Sequence, residues 1–85
     1  MVSKVLKIAA VTGVHARPAT GLVNAAKALD GKVWIETSQK RVDATSIFGV
    51  LSLGLKHGME VTIIAEGGSE EANLKSIVEY IESLS

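Results

Sequence analysis

Four short stretches of this chain alternate apolar and polar residues with a period of two, and stripes of helical period lie between and after them. That switch of period constrains the fold more than any other feature. A period-two run buries one face of a strand, and that face needs a second layer to cover it. Val2, Leu6 and Ile8 share one face of a strand over Val2–Ala9. Val33 and Ile35 do the same within Lys32–Thr37, Val42 and Ala44 within Lys40–Ala44, and Val61, Ile63 and Ala65 within Glu60–Glu66. Helical spacing appears first in Ala16–Leu29, where Ala19, Leu22, Val23, Ala26 and Leu29 form the stripe. Pro18 is tolerated there because it lies in the first turn. Ser46–Leu53, with Ile47, Val50 and Leu51, reads as a short helix of at most about two turns, because Gly49 weakens it. A last helix carries Leu74, Ile77, Val78, Ile81 and Leu84. Ser69 caps it, and Glu70 and Glu71 suit the positive end of its dipole.

Turn chemistry separates these elements. Thr12-Gly13, Asp30-Gly31, Ser38-Gln39 and Gly67-Gly68 fall at the breaks, and Gly54 and Gly58 bracket a loop. The resulting order is β-α-β-β-α-β-α, which predicts an α+β fold with helices packed on one face of an antiparallel sheet. Trp34 alternates away from Val33 and Ile35 and is expected on the open, wetter face.

Composition limits the chemistry. The 85 residues are expected to form a single domain, residues 1–85. No cysteine is present, which excludes a disulfide framework, a thiolate zinc site and thiol catalysis. Nine basic and nine acidic residues cancel, so neither direct nucleic-acid binding nor an anionic membrane is the expected partner. No stretch approaches the roughly 18–20 apolar residues of a membrane span, so no membrane insertion is expected. The N-terminus lacks the apolar core of a signal peptide, which makes the cytoplasm the default compartment.

The candidates for chemistry are few. His15, Arg17 and Pro18 fall together in Gly13-Val14-His15-Ala16-Arg17-Pro18-Ala19, where a loop becomes a helix. The first turn of a helix has unpaired N–H donors and partial positive charge, so it attracts anions. Ala16 and Arg17 supply candidate backbone donors, and the Arg17 guanidinium suits phosphate oxygens. Pro18 presets the helical φ. A neutral imidazole is nucleophilic, and an ordinary pKa of about 6.5 keeps it mostly neutral in a near-neutral medium. Taken separately, His15 also reads as a surface histidine, Arg17 as a solvated helix residue and Pro18 as a helix starter. His57, in Lys56-His57-Gly58, reads as a solvated loop residue. Two histidines without acidic spacing make no metal site, and neither metal nor cofactor is expected. Gly67-Gly68 lacks the lysine and spacing of a phosphate-binding loop. Ser46 reads locally as a helix N-cap.

The segment from Gly13 to Ala19 resembles the active-site signature of the HPr family, the histidine-containing phosphocarriers of the bacterial phosphoenolpyruvate-dependent sugar phosphotransferase system. The segment Ser46-Ile47-Phe48-Gly49-Val50-Leu51-Ser52-Leu53-Gly54 is similar to that family's regulatory serine region. The likeness continues through Gly58, the strand from Val61 to Ala65 and Glu66-Gly67, and so covers essentially the whole chain. It implies an open-faced β-sandwich, a four-stranded antiparallel sheet with three helices on one face. It also implies a role. His15 would accept a phosphoryl group from phosphorylated enzyme I and pass it to enzyme IIA domains of sugar permeases. The protein is then a carrier through a phosphohistidine rather than an independent turnover enzyme. Arg17 would steady the phosphoryl charge in transfer.

The same resemblance makes Ser46 a target of a dedicated kinase, HPr kinase/phosphorylase, and permits binding to a catabolite-control repressor. Thr45 departs from the pattern, since a lysine commonly precedes that serine. The docking patch for partners is expected on Ala16, Arg17, Thr20, Gly21, Asn24 and Lys27 of the first helix and Ile47, Phe48, Gly49, Leu51 and Ser52 of the second. Some relatives carry lysine at positions 24 and 49, so Asn24 and Gly49 imply weaker electrostatic steering. A monomer is expected. The competing reading is a regulatory interaction protein, Crh-like or of a nitrogen-related branch. Crh-like paralogues typically lack the active histidine, so His15 argues against that reading.

Overall fold

A computed structural model of the chain describes residues 1–10, 13–14 and 16–84. Its elements run β1 (Val2–Lys7), α1 (Ala16–Lys27), β2 (Lys32–Glu36), β3 (Arg41–Asp43), α2 (Ile47–Ser52), β4 (Glu60–Glu66) and α3 (Glu70–Ser83). The expected order is therefore observed. All strands pair antiparallel in one sheet ordered β1-β4-β2-β3.

Register explains the one-sided core. Leu6 faces Val61, Ile35 faces both Ile63 and Val42, and Val33 faces Ala65. These residues share the face that the helices cover, and α3 packs on β1, β2 and β4. Ile35, Ile63 and Ile77 are fully buried at its centre. Each such side chain contributes about 1.5–3 kcal/mol through removal from water. From α1 come Ala19, Leu22, Val23 and Ala26, and from α3 Ile77, Val78 and Ile81, as the helical spacing requires.

The opposite face is open, but not bare. Trp34 lies there half-buried, with Lys32 above its ring at 5.5 Å. It pairs with Ile64, which is only 5% exposed although it points away from the main core. Ile64 lies out of phase with the period-two set Val61, Ile63 and Ala65, so the alternation gives no sign of its burial. Its burial comes from cross-strand neighbours on β1 and β2, which lie far away in sequence.

Element ends differ from the sequence expectation by small amounts. β1 stops at Lys7, although Ile8 still exchanges backbone hydrogen bonds with the 58–59 turn (Ile8 N to Met59 O 2.9 Å, Gly58 N to Ile8 O 2.7 Å). α1 ends at Lys27, two residues short of Leu29, whose N–H closes a tighter turn on Ala26 O at 3.2 Å. Leu29 still packs against the core. Ser69 does occupy the N-cap position of α3, but its side chain makes no cap hydrogen bond. Its hydroxyl donates instead to Asp30 Oδ2 at 3.1 Å, because a carboxylate is a strong acceptor for it.

Candidate functional site

The segment that enters α1 is anchored by its backbone. Gly13 N–H donates to Ala10 O at 2.9 Å and Val14 N–H to Leu55 O at 3.0 Å. Gly13 has φ +73°, and a Cβ added to it would strike the Leu55 carbonyl, so position 13 needs glycine twice over. The Val14 side chain is buried in the core. The His15 assignment lies outside the described residues.

α1 starts at Ala16, which is exposed together with Arg17, while Pro18 is half-buried. Its first turn contains no acidic residue. The charge opposite the helix dipole is thus not supplied from within that turn, and the only charged side chain in it is a guanidinium. Thr20 Oγ1 donates to Ala16 O at 2.9 Å. Tyr80, from α3, donates its hydroxyl to Pro18 O at 3.0 Å. Sequence reasoning passed over Tyr80. The available signal was Gly21, a glycine inside a helix, which costs about 1 kcal/mol relative to alanine. Gly21 was expected on the docking face; the structure places it half-buried beneath the Tyr80 hydroxyl, and a Cβ there would collide with that oxygen.

α2 lies alongside, packed against α1. It ends at Ser52, and Leu55, three residues on, is the residue that receives Val14. The end of α2 therefore runs into the support of the α1 entrance. Phe48 is 83% exposed and Leu51 40%. Ile47 is half-buried and packs on the core. On α1, Thr20, Asn24 and Lys27 are exposed, as is Ser52 on α2. Two apolar side chains left in solvent on the helix that packs against α1 make a surface suited to protein contact.

Ser46 is the N-cap of α2, and its Oγ accepts from Gly49 N–H at 3.1 Å. Gly49 is close-packed against Ser46 and Val42: an added Cβ would sit 3.2 Å from Ser46 Oγ and from Val42 Cβ. Asp43 prepares the turn by accepting from Thr45 N–H (2.8 Å) and Thr45 Oγ1 (2.7 Å). Burial raises the Asp43 pKa, but these two bonds and the charge of Lys32 outweigh it and hold the group below the usual aspartate value.

His57 is exposed, and its Nδ1 lies 3.2 Å from Ala9 O. A carbonyl can only accept, so Nδ1 carries the proton and donates. This ties the 57–58 turn to the strand exit rather than to α1. A cleft of ≈ 380 Å³ lined by Glu36, Thr37, Ser38, Met59, Glu60 and Thr62 contains none of the expected site residues. Among the described residues no group of three or more histidines or acids is placed to hold a metal ion.

A sequence model described as "PTS HPr component phosphorylation site" matches residues 2–83. The chain belongs to the HPr family. Its fold matches the HPr-C-His structure from Thermoanaerobacter tengcongensis with a TM-score of 0.92 at 41% identity, covering 98% of this chain and 93% of that one. An HPr-like protein Crh from Halalkalibacterium halodurans is 35% identical over 82 residues, 96% of this chain and 98% of its own length. Crh of Bacillus subtilis, solved as a swapped, intertwined dimer, matches with a TM-score of 0.77 at 36% identity over 100% of this chain and 99% of that one. The open-faced sandwich implied by the sequence motifs is the fold observed, in an HPr-family chain.

Proposed function

We propose that this HPr-family chain is a phosphocarrier in which His15 accepts a phosphoryl group from phosphorylated enzyme I and passes it to enzyme IIA domains of sugar permeases. The observation that carries the reading is the start of α1. A histidine directly precedes a helix whose first turn holds exposed Ala16 and Arg17 and no carboxylate. In the transfer, a ring-nitrogen lone pair of His15 forms the N–P bond as the bond to enzyme I breaks. Arg17 and the N–H groups of Ala16 and Arg17 meet the charge on the phosphoryl oxygens. Pro18 fixes the direction of the helix that presents them. An exposed site suits a shuttle, because a phosphoryl group held too tightly would not be passed on.

Phe48 and Leu51, with Thr20, Asn24 and Lys27, form the docking face for both partners in this reading. Gly49 and Ser52 belong to its α2 side, and Ile47 supports it from beneath. Ser46 is the regulatory position, used by HPr kinase/phosphorylase. A phosphate there would place negative charge on the helix that bears Phe48, opposing an acidic partner face and favouring a catabolite-control repressor. The carrier works in the cytoplasm, needs no metal or cofactor, and touches neither nucleic acid nor the bilayer directly; no described helix is long and apolar enough to cross a membrane. It acts as a monomer in this account, although the Bacillus subtilis Crh dimer shows what the fold permits.

The likeness to the Halalkalibacterium Crh favours a second reading, a regulatory protein acting through Ser46 alone. His15 separates the two. Intact-mass analysis after incubation with phosphoenolpyruvate, magnesium and enzyme I should show one acid-labile phosphoryl group, absent in His15→Ala. ATP and the kinase should add an acid-stable group, absent in Ser46→Ala. Labelling by the kinase with none from enzyme I would select the Crh-like reading.

A further inference from the structure

We infer that Tyr80 is a positioning residue for phosphoryl transfer, holding the first turn of α1 from α3, and that Gly21 exists to admit its hydroxyl. The inference rests on the phosphocarrier reading above. Tyr80 sits between buried Ile77 and Ile81, and Ser83 Oγ donates back to the Tyr80 carbonyl at 2.6 Å. The ring is therefore carried by an element fixed to the sheet. Its hydroxyl reaches across 62 positions of sequence to the Pro18 carbonyl. Pro18 is the third residue of α1, directly after the two residues whose N–H groups face the phosphoryl group in the proposed transfer. Proline has no N–H, so the carbonyl is its one polar backbone handle.

Helix ends fray unless something fixes them, and a transfer site needs its donors held within about 0.5 Å of the productive geometry. Pro18 restricts φ but fixes nothing in space; Gly13 and Val14 anchor the entry to α1 from the loop side, and the Tyr80 bond adds a restraint from α3 on the first turn itself. Gly21 corroborates this. An interior helical position favours alanine, yet an added Cβ at position 21 would occupy the place of the Tyr80 oxygen. A glycine that weakens the helix is explained by the hydroxyl it lets through.

The test uses Tyr80→Phe, Gly21→Ala and the double variant, with Asp30→Asn as a control that loosens α3 at its other end. Three quantities are read: kcat and KM for transfer from enzyme I, the Ala16 and Arg17 amide signals by NMR, and the thermal midpoint. Tyr80→Phe should lower kcat about fivefold, the worth of one hydrogen bond, with KM unchanged because the docking face is intact. Gly21→Ala, which pushes the ring aside, should lower kcat by a similar factor, and the double variant should lower it no further. The Ala16 and Arg17 signals should move in all three. Asp30→Asn should lower the midpoint and leave kcat alone. Wild-type kcat in Tyr80→Phe, losses that multiply in the double variant, or an equal loss in Asp30→Asn would each overturn the inference. If wild-type protein takes up no phosphoryl group, the phosphocarrier reading fails separately. The amide signals then decide alone: unmoved in Tyr80→Phe, they overturn the placement of α1 by Tyr80; moved, they sustain it.

Discussion

The starts of α1 and α3 solve the same physical problem in opposite ways. Both are helix N-termini with unpaired donors and partial positive charge. At α3 the protein supplies its own anions. Glu70 and Glu71 lie in the first turn, and the Glu70 carboxylate accepts from Gly67 N–H at 2.9 Å. The Asp30 carboxylate accepts from Ser69 N–H at 3.1 Å and from Asn73 Nδ2 at 2.8 Å. At α1 the first turn has no acid and two exposed residues, Ala16 and Arg17. A helix start filled with internal carboxylates stabilises the fold; one left without them is suited to an anion that comes and goes. The difference separates the end of the molecule that holds it together from the end proposed to do its chemistry.

The largest effect should come from the open end. Arg17→Ala should slow transfer from enzyme I about tenfold or more, since a charge-assisted contact is lost, while His15 still accepts the group. Stopped-flow or quench kinetics would measure it, and the thermal midpoint should stay at the wild-type value. An unchanged rate would remove the guanidinium from the mechanism and erase that side of the contrast.

The closed end should show a smaller effect of a different kind. The Asn73 side chain, the Ser69 N–H and the Ser69 hydroxyl all donate to Asp30 and hold its pKa below the ordinary aspartate value. The folded state therefore binds the Asp30 proton less readily than the unfolded chain does. Its contribution to stability is fully present above the unfolded pKa of about 3.9 and is lost as pH falls through the lower folded value. Asp30→Asn should lower the neutral-pH midpoint by a few degrees, and the gap to wild type should close on acidification below about pH 4. Thermal melts over a pH series would show it; a gap that persists in acid would mean that the Asp30 charge is not what fastens α3.

How far each end is legible in the sequence follows from how local its determinants are. The α1 start is written in seven consecutive residues, and α2 with Phe48 exposed follows from Ser46 and Gly49 within one turn. The α3 cap was legible as a position, since Ser69 precedes two glutamates, but its true partner was not. Asp30 is 39 positions away in sequence, and only the packing of two turns brings it to Ser69. Tyr80 on Pro18 and Ile64 paired across strands with Trp34 are hidden for the same reason. The strand order β1-β4-β2-β3 likewise depends on distant pairings that no periodicity records. Local chemistry thus gives the elements and an anion-attracting helix start, the resemblance to the HPr signature singles out the proposed site, and the restraints that aim it are set by tertiary contact.

The most direct test of the contrast between the two helix starts is the change in backbone amide signals on enzymatic phosphorylation by enzyme I and phosphoenolpyruvate. The Ala16 and Arg17 amides should shift most, as they meet new anionic acceptors, while those of Ser69, Glu70 and Glu71 stay in place. Shifts centred on α3, or unmoved Ala16 and Arg17 amides in a fully phosphorylated sample, would contradict it.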